Sequence, residues 1–81
     1  MQKVEIRLSL AENVKTFVNI VNKYGFDMDL RAGRHVVDAK SILGIFSLDL
    51  SKPITLEIDD DKASDAQTVA QLMEDIKPFL A

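Results

Sequence analysis

The sequence predicts an α+β fold, an open-faced β-sandwich in which a four-stranded antiparallel sheet is covered on one face by helices. Two patterns predict it. Four short stretches alternate apolar and polar residues with a period of two, as strands with one buried face do, and three stretches between and after them carry apolar residues at helical spacing. The order is β-α-β-β-α-β-α, and 81 residues set the scale of a single domain over 1–81 with a small core.

Val4, Ile6 and Leu8 alternate with Glu5 and Arg7 and form the first strand. Ser9 precedes Glu12 by three positions, the spacing of a capping box, so a helix is expected to start there. Val14, Phe17, Val18 and Val21 make its apolar stripe, with Asn13, Lys15, Asn19 and Lys23 opposite, and Tyr24-Gly25 offers a left-handed cap at its end. Met28 and Leu30 against Asp27, Asp29 and Arg31, then a turn at Ala32-Gly33, then Val37 and Ala39, read as a hairpin. Ser41 caps a second helix from Ile42 to about Leu48, too short to be stable without tertiary packing. Pro53 stops it, and Ile54, Leu56 and Ile58 against Thr55 and Glu57 give the fourth strand. Asp59-Asp60-Asp61 reads as a solvated turn. A last helix from about Ser64 presents Ala66, Val69, Ala70, Met73 and Ile76 or Lys77 on one face, and ends around Pro78 to Leu80.

Composition narrows the function. No cysteine is present, which excludes disulfides, thiolate zinc sites and thiol catalysis and fits a reducing cytoplasm. The alternation of charge and apolarity in the opening residues predicts neither an apolar leader core nor a membrane span. A net charge of −3 argues against nucleic acid as a partner. Asp27 with Asp29, and the Asp59–Asp61 run, lack a partner histidine or the ligand spacing of a calcium loop, so no metal is expected there. No glycine-rich phosphate loop or nucleophile motif is present, so neither a cofactor nor an enzyme activity is expected. The second helix is apolar nearly all round: Ile42, Ile45 and Phe46 share one side and Leu43 lies on the next, more than a small core can bury.

The segment Val37–Leu50, with its pattern Lys40-Ser41-Ile42-x-Gly44-x-x-Ser47-Leu48, resembles the middle of HPr, the histidine-containing phosphocarrier of the bacterial phosphoenolpyruvate:sugar phosphotransferase system. Asn22-Lys23-Tyr24 and Asp27-Met28-Asp29-Leu30 extend the resemblance, and the element order matches that fold over essentially the whole chain. In the family, the loop before the first helix carries a Gly-x-His-Ala-Arg-Pro motif in which the histidine takes the phosphoryl group. Here the corresponding stretch, Leu8–Val14, is shorter and has no histidine, arginine or proline. Glu12 adds a negative charge in the first helical turn, which would repel an incoming phosphoryl group.

What the resemblance leaves is regulation. It implies that Ser41 is the serine presented to an ATP-dependent HPr kinase/phosphorylase, and that Ile42, Leu43 and Phe46, with Lys40 beside them, are a docking surface for partner proteins. The chain is also similar to the catabolite-repression homologue of HPr, whose serine-phosphorylated form is the corepressor of a catabolite-control transcription factor. The arginine retained by that homologue after the histidine position is replaced here. Two alternatives stay open: a diverged phosphotransfer component using another acceptor, such as the one histidine, His35, or a structural and interaction domain that has lost both phosphorylations. As a bland reading, Ser41 is a helix cap and His35 a surface strand residue.

Overall fold

A computed structural model of the chain describes residues 2–59 and 66–81. Among the described residues, four strands and three α-helices run β1 Gln2–Ile6, α1 Ala11–Val21, β2 Met28–Ala32, β3 His35–Asp38, α2 Ile42–Phe46, β4 Ile54–Ile58 and α3 Ala66–Asp75, followed by a 3-10 turn at Lys77–Phe79. The expected order is present. The sheet is ordered β1-β4-β2-β3, and every pairing is antiparallel. The last strand in the chain thus lies between the first and second, so α1 and α2 each cross over a neighbouring strand and are brought onto one face.

Alternation sorts the two faces. Ile6, Met28, Leu30, Ile54, Leu56 and Ile58 point inward and are buried, and they meet Val14, Phe17 and Val21 of α1, Ile45 of α2, Val69 and Leu72 of α3, and Ile76 just after it. Phe17 stacks edge-on against Phe79 with ring centroids 6.0 Å apart, joining α1 to the tail. The hairpin turns on Gly33, whose φ of 61° is the only positive one among the described residues. With Arg34 at negative φ, the two-residue turn is of the type that matches the strands' twist and favours glycine at its first position.

Three helix details differ from the sequence reading. Ser9 does not cap α1. Leu10 is the N-cap residue, its carbonyl accepts the first helical bond from Val14, and its own N–H donates to Asn13 Oδ1 at 3.1 Å, so Asn13 takes the role expected of Glu12. Gly25 has no left-handed conformation; α1 stops at Val21, and Asn22 closes it by donating from both its backbone and side chain to Val18 O. The buried stripe is Val69 and Leu72 of α3, continued by Ile76 just past its end, with Met73 half-buried, while Ala70 is exposed. Rotating the helix by this amount hides leucine in place of alanine and so removes more apolar surface from water. Asp60, Asp61 and Ser64 lie outside the described residues.

The tail past α3 protects one sheet edge. Leu80 forms a bridge with Ile6, Arg7 N–H donates to Phe79 O at 2.8 Å, and Ala81 N–H to Glu5 O at 3.0 Å. On the open face the register places Lys3, Glu57, Asp29 and Asp38 in one row across the sheet. Glu57 is 6% exposed, accepts from Arg31 Nε at 3.1 Å and lies 3.8 Å from Lys3 Nζ. Arg31's hydrogen bond is the main reason that its carboxyl is held below the usual range. Asp29 is shifted the other way, first by desolvation and then by the charges of Asp38, Glu57 and Asp27.

Two measurements follow. Phe17→Ala is expected to cost about 3–5 kcal/mol of unfolding free energy by denaturant titration, the usual range for emptying a buried aromatic site. Because the folded pKa of Asp29 is raised, its ionised form is less well tolerated in the folded chain than in the unfolded one. Its penalty is therefore present above the folded pKa and disappears as the pH falls below the unfolded carboxylate range. Asp29→Asn is expected to raise the melting temperature at neutral pH and to leave it unchanged below about pH 3.

Candidate functional site

The candidate site is built on α2, a helix of five residues that depends on its neighbours. The chain enters it through a turn in which Asp38 accepts twice, at Oδ1 from Lys40 N–H at 2.8 Å and at its carbonyl from Ser41 N–H at 3.0 Å. Ser41 is extended, at φ −100° and ψ 107°, and its Oγ accepts from Gly44 N–H at 3.2 Å. At the other end Ser47 Oγ donates back to Gly44 O at 2.5 Å. Gly44 lets the helix lie close to β3, since a β-carbon there would stand 3.2 Å from Val37 Cβ.

The start of α2 is tied to the end of α1. Lys40 Nζ donates to Tyr24 O at 2.6 Å, and the Tyr24 hydroxyl donates to Asp75 Oδ2 on α3 at 2.5 Å. Gln71 donates to the other oxygen of Asp75 at 3.0 Å. Burial, reinforced by the hydrogen bond to Asp75 and its charge, pushes the Tyr24 phenol up to about 12, and the same bond lowers the Asp75 carboxyl. Tyr24 thereby joins all three helices at one point, an arrangement that single-helix patterning does not reveal.

The five residues singled out in the sequence take different positions. Ser41 is exposed, with its hydroxyl oxygen engaged as the cap acceptor. Leu43 is 81% exposed and Phe46 is 45% exposed, whereas Ile42 is half-buried against the core and Ile45 is fully buried. Lys40 is half-buried and its ammonium is occupied by Tyr24 O. The exposed part of the apolar cluster is thus Leu43 and Phe46. A further large apolar residue, Leu10, is 63% exposed at the N-terminus of α1, a position that no apolar spacing or motif marks.

His35 is exposed at the start of β3, at the opposite end of that strand from Ser41, and lines an open depression with Ala32, Gly33, Asp49, Lys52 and Pro53. Among the described residues no group of three His, Cys, Asp or Glu side chains is arranged to hold a metal, and no helix is long and apolar enough to cross a membrane.

A family model described as the PTS HPr component phosphorylation site matches residues 9–77. The crystal structure of HPr-C-His from Thermoanaerobacter tengcongensis is similar with a TM-score of 0.72 at 24% identity, covering 94% of this chain and 90% of that one. That of a phosphocarrier protein HPr from Bacillus anthracis str. Ames is similar with a TM-score of 0.61 at 26% identity, covering 91% of this chain and 92% of that one. No curated protein matches the chain significantly.

As an N-cap, Ser41 is expected to contribute about 1 kcal/mol. Ser41→Ala should lower stability by that amount in urea titration, and Ser41→Asp, which keeps an acceptor at the cap, should recover most of it.

Proposed function

The chain belongs to the HPr family of the phosphotransferase system, and from that premise we propose that it acts as a protein-binding regulator controlled by phosphorylation of Ser41, without histidine phosphocarrier activity. One observation carries the reading: α2 presents an exposed serine hydroxyl beside two exposed large apolar side chains, Leu43 and Phe46. Such side chains on a helix held by the rest of the fold suit protein docking. The loss of carrier activity is supported by the stretch Leu8–Val14, which holds no imidazole where the family carries its phosphoacceptor.

The proposed switch is a charge change. HPr kinase/phosphorylase would transfer the γ-phosphoryl group of ATP to Ser41 Oγ, forming the new O–P bond as the bond to the ADP oxygen breaks and the hydroxyl proton departs. The product adds about two negative charges beside Leu43 and Phe46, which favours a docking partner with a basic rim and disfavours an acidic one. A catabolite-control transcription factor is the partner that this reading assigns, in a bacterial cytoplasm.

A second reading moves phosphoryl transfer to His35, favoured by the exposure of that imidazole in a depression it shares with Lys52. Two incubations separate them. With HPr kinase and ATP the protein is expected to gain an acid-stable phosphate that Ser41→Ala abolishes; absence of labelling would leave an interaction domain that has lost both phosphorylations. With phosphoenolpyruvate and the general phosphotransferase enzyme it is expected to stay unlabelled, and an acid-labile phosphohistidine lost in His35→Gln would establish the second reading instead.

A further inference from the structure

The depression at the hairpin tip has chemistry that docking at α2 does not use. It is formed where two loops meet, the β2–β3 turn with Ala32, Gly33 and His35, and the α2–β4 connection with Asp49, Lys52 and Pro53, and its volume is about 270 Å³. Arg34 stands in the same turn. On a chain of net charge −3, two basic residues therefore line the depression with Arg34 beside them in sequence, and the side chains of Arg34, His35 and Lys52 form no hydrogen bond or ion pair with another described residue. Lys3 and Arg31 are engaged on Glu57, Lys40 on Tyr24 and Lys77 on Glu74, while Arg7, Lys15 and Lys23 likewise make no side-chain hydrogen bond or ion pair with another described residue, so it is the shared depression that sets Lys52 and His35 apart.

The single carboxylate in the depression is already turned to another task. Asp49 Oδ1 accepts from both Ser51 Oγ at 2.5 Å and Ser51 N–H at 3.1 Å, and these bonds, with Lys52's charge adding to them, hold its carboxyl below the usual range. It therefore shapes the loop that presents Lys52 and keeps its charge, which opposes an anion. Two groups that can donate to an anion line the pocket, the Lys52 ammonium and the His35 imidazole; neither makes a hydrogen bond or ion pair with another described residue, although Lys52 acts by its charge on Asp49. We infer that this depression binds a small phosphomonoester non-covalently, with Lys52 and His35 donating to the phosphate and the remaining volume taking a short carbon skeleton. The site is independent of phosphorylation at Ser41, from which β3 separates it.

The probe is inorganic phosphate, titrated into the full chain at constant ionic strength and followed by amide chemical shifts, with chloride as the control ion. Saturable shifts are expected at Gly33, Arg34, His35 and Lys52, with none of comparable size at Ser41 and Gly44. Lys52→Gln is expected to weaken binding about tenfold, the effect of losing one charge-assisted hydrogen bond. Asp49→Asn retains a side-chain oxygen for Ser51 but removes the opposing charge, and is expected to bind phosphate more tightly. Shifts that do not saturate, that chloride reproduces, or that persist with unchanged affinity in both variants would overturn the site.

Discussion

The position of α2 depends on one junction, the contacts that Tyr24 makes with both other helices. Its backbone carbonyl takes the Lys40 ammonium at the entrance to α2, and its hydroxyl is bound to Asp75 on α3. A five-residue helix has too few internal bonds to persist by itself. Burial of Ile45 fixes one side of it, the Asp38 turn and the Ser41 cap fix its first residues, and Lys40 anchors that start to α1. The lysine is thereby committed to the protein, and the helix presents Leu43 and Phe46 to solvent.

That exposure follows from the size of the core. The inward side chains of four short strands are already covered by α1, α3 and the 3-10 turn, and α2 needs to contribute only Ile45, part of Ile42, and the following Leu48. The apolar residues on its other sides have no sheet left to face. The proposed docking surface and the packing requirement thus come from the same short helix, and Ser41 serves as structural cap while offering a hydroxyl to solvent. A phosphate there would change the charge of the exposed face with the buried face left as it is.

The strands were legible because alternation is a local signal: Ile54, Leu56 and Ile58 reveal their inward side without knowledge of any neighbour. Helix limits were less so. Ser9-x-x-Glu12 offers both halves of a capping box and Leu10-x-x-Asn13 only the half in which Asn13 accepts from the cap's N–H, yet the second is the one that forms. The face of α3 depends on what covers Leu72. Burial of Glu57 on the otherwise open face comes from cross-strand register with Lys3 and diagonal reach from Arg31, which no single strand encodes. Among candidate site residues, the Lys40-Ser41-Ile42 pattern was visible at once. That Leu43 and Phe46 are exposed while Ile42 is half-buried, and that Lys40 is engaged, required the partners to be placed.

In this arrangement α2 is a preformed surface, held at its start by Lys40. Amide hydrogen exchange on the free chain tests it most directly, comparing Ile45 N–H, which bonds to Ser41 O, with amides of β4. Ile45 is expected to be protected in the unmodified protein and to lose that protection selectively in Lys40→Met, with β4 unchanged. Fast exchange at Ile45 before any substitution, or retention of its protection in Lys40→Met, would contradict it.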